Sequence, residues 1–438
     1  VILTYGMETA FFRFSQRQQH HKNVYSTSLI SLLISSAAFI FLASYFADSI
    51  ADAMHFSAHP EYIQYFALII GLDAIASISF AKLRQQNQAF RFALVRLINI
   101  FVNIGLNLFF ILYCPYAIKN NLPSADFIQS IYNPEVGIGY IFIANLVASG
   151  LTILLLLPEM FKNSWIFDKD LWRKMMIYSL PLMFAGLAGI ANETIDRLML
   201  DYLLPADVSK SEIGIYGAYY KLSILMTLFV QTFRFAAEPF FFAQEKEGNA
   251  KKVYADVMKY FSIVTAFIFL GVMTYFELVE NFIGQDFHDA RGVIIVPVLL
   301  LANLFLGIYY NLSIWYKLTE RTQFGAFLAF FGATITVVAN FVLIPYLGFV
   351  GSAWATLICY FAMAVASYLL GRKYYPIPYP IGKISFYLAS MLVLYVCSLY
   401  FDFGTLFNST YLLLFLVLVF LLEKPKKRVI SKPKLFDE

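Results

Sequence analysis

The stretch MFAGLAGIANETIDRLMLDYL, residues 183–203, leaves this chain few ways to fold. It is apolar at both ends and long enough to cross a bilayer, yet its outer half carries Glu193, Asp196 and Arg197. Spacings of three and four place all three side chains on one face of a helix. A charged group at membrane depth costs ~2.5–3.5 kcal/mol even on insertion scales, so that face must avoid lipid and look into a bundle or a water-filled cavity. The expected fold class is therefore all-α, a polytopic membrane protein with a polar interior.

Composition agrees. Of 438 residues, 60% are hydrophobic and only 14% charged, against about 25% charged in a soluble domain. Apolar stretches near the ~20 residues a hydrocarbon core requires recur along the whole chain. They cover 25–46, 62–81, 92–113, 136–157, 177–204, 213–235, 254–276, 293–315, 324–347, 350–370, 384–401 and a shorter 411–422. Lys and Arg collect in alternate loops, around 13–22, 82–91, 162–174, 246–252, 317–321, 372–383 and 424–434. The remaining loops hold Lys119, Lys210 and Arg291 beside acids such as Asp48, Asp126 and Asp289. Basic loops stay inside, which predicts a cytoplasmic C-terminus. The tail EKPKKRVISKPK is a stop-transfer signal or a site for anionic headgroups.

Several chemistries are not called for. Cys114, Cys359 and Cys397 are isolated and the five His residues fall in loops or at helix ends, so no metal spacing and no disulfide frame is suggested. No nucleotide-binding loop and no nucleophile–base arrangement is visible. The expectation is a non-enzyme without a cofactor.

The chain also repeats itself. Val24-Tyr25, followed by Ala38-Phe39-Ile40-Phe41-Leu42, returns as Val253-Tyr254, followed by Ala266-Phe267-Ile268-Phe269-Leu270, at 253 − 24 = 229 and 266 − 38 = 228. Glu8, Phe11 and Phe12 return as Glu238, Phe241 and Phe242. Lys82-Leu83 returns as Lys317-Leu318, and NLFFILY from Asn107 returns as NFVLIPY from Asn340, at 340 − 107 = 233. Five matches in one order imply two copies of six helices in the same orientation, related by an axis along the membrane normal. The counterpart of the helix around Arg197 would precede Val1, so a first helix and part of a second are expected to be missing from this chain, with fourteen spans in the intact protein. The expected division is an N-terminal lobe 1–158, a C-terminal lobe 175–371, an appended helix pair 384–423 and a basic tail 424–438.

TYGMETAFFRF, IANETIDRLML and IGIYGAYYKLSILMTLFVQTFRFAAEPFFF, with the repeat, resemble bacterial polysaccharide flippases of the Wzx type, in the multidrug/oligosaccharidyl-lipid/polysaccharide exporter superfamily. The resemblance runs from Thr4 to about Gly371. It implies a V-shaped bundle in the inner membrane that moves polyprenyl-pyrophosphate-linked sugar units to the outer leaflet. Its partners would be that lipid-linked oligosaccharide, membrane lipid, a coupling H+ or Na+, and other polysaccharide-assembly proteins. Nucleic acid is not among them.

Such a cargo needs a hydrated cationic cavity with a side opening for its tail. Arg offers a fork of donors to phosphate oxygens and Lys a point charge. The candidates are Arg197, Lys221, Arg234 and Arg13, with Arg96 a weaker one. Glu8, Glu193, Asp196 and Glu238 are the acids expected to line the cavity or pair with these cations, for example Asp196 or Glu193 with Lys221, or Arg234 with Glu238. Asp73, alone at mid-span, either carries a coupling ion or accepts a hydrogen bond from a neighbouring Ser or Asn. Tyr216, Tyr219 and Tyr220 are candidates for stacking on sugar rings. The competing readings are a drug or organic-cation exporter of the same superfamily and, less well supported, a membrane enzyme of polysaccharide assembly.

Overall fold

The computed structural model describes residues 2–16, 23–53, 59–162, 165–284, 287–401 and 405–423, without the side chains of 53, 191–193, 206 and 405–407. The basic tail and Glu193's side chain lie outside that description. Among the described residues all regular structure is helical. That is what hydrocarbon demands, because a helix satisfies its own backbone polar groups. Among the described residues nine helices are long and apolar enough to span a membrane, and up to eleven if each of two bent pairs counts as one span.

Contacts divide the chain into two compact units. The first comprises Val1–Ala191, Phe235–Lys246 and Ile314–Phe330. It opens with the short α1 (Met7–Ser15), then α2 (Val24–Tyr45), α3 (Ala47–Ala53), α4 (Glu61–Gln85) and α5 (Ala89–Asn107). Gly6, ahead of α1, has φ +71°, and a Cβ there would lie 2.8 Å from the Ser179 carbonyl oxygen. Only glycine meets both demands. A π-turn, Leu108–Tyr113, leads from α5 into α6 (Cys114–Lys119). Pro115, which has no N–H to return to the preceding turn, follows it. After α7 (Ala125–Ile131) comes α8 (Gly139–Phe161).

In this unit α4 packs between α2 and α8, and α5 lies on α8. The α5–α8 seam is polar inside. Asn99 Nδ2 donates to Thr152 at 3.0 Å, Asn103 Nδ2 to Asn145 Oδ1 at 2.6 Å, and Asn107 Nδ2 to Asn103 Oδ1 at 2.6 Å. Side-chain hydrogen bonds of this kind join helices where lipid offers no hydrophobic drive.

The chain then runs through α9 (Lys169–Leu203), α10 (Ala206–Leu222), α11 (Ile224–Gln244), α12 (Ala250–Thr274) and α13 (Phe276–Glu280). It ends with α14 (Ala290–Leu312), α15 (Ile314–Leu318), α16 (Gln323–Leu347), α17 (Phe349–Tyr374), α18 (Ile381–Tyr400) and α19 (Thr405–Glu423). The second unit comprises Asn192–Arg234, Glu247–Ser313 and Phe331–Glu438. Its centre is α14, packed along α17 and against α10 and α12; α12 also carries α18 and α19. Large side chains such as Tyr216, Tyr219, Phe269 and Phe349 fill its core.

The span expected at 213–235 is two helices, α10 and α11, bent by 55°. The break falls at Ser223, whose hydroxyl donates to the Tyr220 carbonyl at 2.7 Å while its own N–H takes the same oxygen at 3.1 Å. A serine can close a helix in this way because its side chain competes for the backbone.

The repeat has a backbone signature. Asn87, after α4, has φ +57°, and Gln88 N–H donates to Leu83 C=O at 2.9 Å. Glu320, after α15, has φ +58°, and Arg321 N–H donates to Tyr316 C=O at 2.8 Å. The two turns are separated by 320 − 87 = 233 residues, as are Asn107 and Asn340. Both have the left-handed residue and long return bond of a helix C-terminus closed in the Schellman manner.

Candidate functional site

The expected site residues fall into two groups, one in each unit. In the first unit Arg13, at the end of α1, is almost fully buried and is held by Glu245 and by Glu320, the latter at 3.2 Å. Glu8, one turn earlier, accepts from Arg84 at 2.6 Å, and Glu238 on α11 accepts from Lys317 at 3.1 Å. The repeat relates Glu8 to Glu238, and each carboxylate takes a cation from the end of the helix that carries Lys82 or Lys317. Arg84 is also wedged among the Phe12, Phe92 and Phe235 rings and donates to the Phe235 carbonyl at 3.2 Å. Tyr178 on α9 donates to the Lys317 carbonyl at 3.0 Å. Chain segments 232 and 307 residues apart in number are thus stitched by charge within one unit.

Beside this cluster Glu159, near the end of α8 and 1% exposed, meets Lys82 at 3.3 Å, Lys162 at 3.0 Å and Arg91. The Lys82 ammonium also sits 4.4 Å from the centre of the Tyr25 ring. Three cations around one carboxylate offset the cost of taking it out of water. Asp73 is exposed on α4 and accepts from Ser149 Oγ at 2.8 Å. Arg96 lies over Phe80 with its guanidinium carbon 4.1 Å from the ring centre.

In the second unit Asp196 and Arg197 part company. Neighbouring helix residues point about 100° apart, and Asp196 turns inward while Arg197 is exposed. Asp196 is 2% exposed and takes three neutral donors: Asn340 Nδ2 at 2.9 Å, Thr356 Oγ1 at 2.9 Å and Tyr216 Oη at 3.1 Å. Among the described residues no Lys or Arg forms an ion pair with it, and the expected partner Lys221 is exposed at the end of α10. Arg197 lies over the Tyr220 ring at 5.6 Å, and the exposed Arg234 over Tyr310 at 4.6 Å.

Two of the three expected sugar-stacking tyrosines are used otherwise. Tyr216 is buried against Asp196. Tyr219 is buried too, donating to Glu280 at 2.7 Å and accepting from Asp289 N–H at 3.1 Å. Tyr220, beneath Arg197, is half-buried.

Sequence reasoning missed Glu245 and Glu320 as partners of Arg13, because both read as loop acids. It passed over Asn340 as well, though Asn340 opens the second copy of the NLFFILY repeat and is a polar residue inside an apolar span. Among the described residues no group of three or more His, Cys, Asp or Glu is placed to hold a metal ion.

The fold matches solved membrane transporters. The crystal structure of MATE in the straight conformation superposes with a TM-score of 0.66 at 15% identity, over 85% of this chain and 83% of that one. An outward-facing multidrug resistance MATE family transporter of the MOP superfamily matches with a TM-score of 0.67 at 15% identity, over 85% and 83%. The bent form of the Vibrio cholerae MATE transporter VcmN matches with a TM-score of 0.64 at 12% identity, over 85% and 84%. No curated protein sequence matches the chain. Residues 1–245 match the polysaccharide biosynthesis protein family. The chain therefore belongs to the polysaccharide biosynthesis protein family, and it is a multi-pass membrane protein with the fold of the MATE structures.

Proposed function

We propose that this transporter flips polyprenyl-pyrophosphate-linked oligosaccharide units from the cytoplasmic to the outer leaflet of a bacterial inner membrane, for surface polysaccharide synthesis. The family match over residues 1–245 carries this reading. Two lobes, 1–158 and 175–371, alternate access to a cationic cavity, with 384–423 appended and the C-terminus in the cytoplasm. Arg197 and Arg234 are the cations that meet the diphosphate, supported by Lys221. Both are exposed side chains of apolar spans, each laid on a Tyr ring. Stacking of this kind holds a guanidinium by its face and leaves its in-plane donors for phosphate oxygens. Arg13 contributes through the carboxylates it gathers.

The test is the leaflet location of lipid-linked sugar in cells deleted for the gene and complemented with wild type, Arg197→Ala or Arg197→Lys. Accessibility to an external glycosidase reports the outer leaflet. Arg197→Ala is expected to lower outward delivery ~10- to 100-fold, the worth of a charged hydrogen bond of about 1.5–3 kcal/mol, and Lys to restore part of it. Lipid-linked sugar that still reaches the outer face in the deletion strain overturns the reading. A second reading, an exporter of organic cations, is favoured by the likeness to multidrug transporters and by the exposed mid-span Asp73. It predicts altered drug sensitivity in the same deletion strain.

A further inference from the structure

We infer that one end of the second unit binds the headgroup of an anionic phospholipid, between Lys251 and Lys252 on α12 and Arg372 and Lys373 on α17. The first observation is unmatched charge. All four side chains are exposed, and among the described residues none of them is in an ion pair. The cations around the α4–α5 turn and after α8 are matched instead. Lys82, Arg91 and Lys162 share Glu159, and Arg84 has Glu8. In the patch the acids are engaged or few: Glu423 takes Lys259 and Lys383, and Asp256 faces Lys259. Segments 247–259 and 371–383 with Glu423 hold six cations and three acids, a net 6 − 3 = +3. In sequence the tail past Glu423 adds Lys424, Lys426, Lys427 and Arg428.

The packing of helix ends brings the four charges together. Lys251 Nζ lies 4.8 Å from the centre of the Tyr375 ring, at the close of α17. The first turn of α12 therefore stands beside the last turn of α17, where Arg372 and Lys373 project. Lys373 lies over Tyr374 at 5.5 Å. Ring contacts of this kind hold an ammonium group without cancelling its charge, which leaves it for a phosphate. Lys383, in the first turn of α18, meets Glu423 at 2.9 Å beside Lys259, and the N-terminus of α18 adds its partial positive charge.

The second observation is apolar. Tyr260, Val264 and Phe267 are exposed on α12, and spacings of four and three set them on one side of it. The stripe begins about two turns along the helix from Lys252. A solvated basic face has no use for such a stripe, and neither has free phosphate. A ligand with an anionic head and apolar chains matches both features, and each Lys or Arg near the membrane surface favours it. One bound lipid ties α12 to α17 at the point where the chain turns into α18. This inference does not depend on which substrate the transporter carries.

The experiment measures the thermal unfolding midpoint of the purified full-length protein in detergent, at fixed ionic strength and pH. Phosphatidylglycerol, phosphatidylcholine or inorganic phosphate is titrated in. Phosphatidylglycerol is expected to raise the midpoint in a saturable way that the other two do not reproduce. Two double variants, Lys251→Gln with Lys252→Gln and Arg372→Gln with Lys373→Gln, should each raise the lipid concentration for half-effect, by about fivefold per charge removed. Lys251→Arg with Lys252→Arg should keep the wild-type response, as should Lys119→Gln with Lys210→Gln, two cations outside the patch. Equal midpoints in the two lipids overturn the proposal, as does a phosphatidylglycerol effect undiminished in both Gln pairs. A rise reproduced by inorganic phosphate overturns it too, and makes the patch a site for free anions.

Discussion

At the scale of single residues, a left-handed glutamate carries a backbone cost in the first unit. Asn87 and Glu320 close equivalent turns with φ +57° and +58°. Asn tolerates that conformation, while for a longer L-residue it costs roughly 1–2 kcal/mol. Glu320 sits in the strained position where its carboxylate meets Arg13. With more than a third of that side chain exposed, the pair itself is worth ~1 kcal/mol or less. Glu320→Gly and Glu320→Ala lose the same carboxylate, so they differ only in backbone. Glu320→Gly is expected to be the more stable by about 1 kcal/mol in denaturant unfolding, and the reverse order would show that the turn is not left-handed. None of this was legible in the sequence, where Lys317-Leu318 marks the repeat but nothing announces a helix end at Glu320. Asp196 was legible as a membrane-buried acid. Its inward turn away from Arg197 was not, because the three-and-four spacing describes a face about 100° wide without saying which edge meets protein.

At the scale of elements, α14 shows how a helix start is fixed. Asp289 accepts from Arg291 N–H at 2.8 Å, capping the first turn, and its other oxygen pairs with the Arg291 guanidinium at 2.8 Å. That guanidinium reaches Glu212 at 2.8 Å and covers the Phe349 ring at 4.8 Å. The hydrogen bond from the Arg291 side chain, with its backbone N–H, holds the Asp289 carboxyl below the usual range. A depressed folded-state pKa contributes stability above the unfolded value near ~3.9, and that contribution is lost as pH falls through the folded value. Asp289→Asn keeps a competent cap but loses the pair with Arg291, so it should lower stability near neutral pH by that small contribution and match wild type in acid. Its midpoint should fall less steeply below about pH 4 than that of wild type, as a pH series of unfolding curves would show. Equal slopes would mean that the pair does not outlast solvent screening. The two-helix form of the 213–235 span belongs to this scale as well. Hydropathy counts apolar residues and cannot see a Ser223 hydroxyl folding back on Tyr220.

At the scale of the molecule, the repeat was readable in the sequence, and so was the class of protein, because both rest on composition and order. The ion cluster at Arg13 was hidden, since it joins α1 to segments more than 230 residues later. If access alternates by motion of the proposed lobes 1–158 and 175–371, Arg13 and its two carboxylates belong to different moving parts and these ties part in every cycle. Cysteines placed at Arg13 and Glu245, with Cys114, Cys359 and Cys397 replaced by Ser, should stop transport when bridged by a bifunctional thiol reagent and regain it on reduction. Undiminished transport in the bridged state would show that this contact never opens. Glu423, at the end of α19, accepts from Lys259 at 2.6 Å, from Lys383 at 2.9 Å and from the Tyr387 hydroxyl at 2.8 Å. These partners stand on α12 and α18, both made by the ribosome before α19 emerges. Helix α19 therefore enters a membrane in which its docking site already waits, and its arrival gives a lysine buried on α12 a second carboxylate. Synthesis order thus leaves Lys259 with Asp256 of its own helix first, and with Glu423 only once α19 has docked.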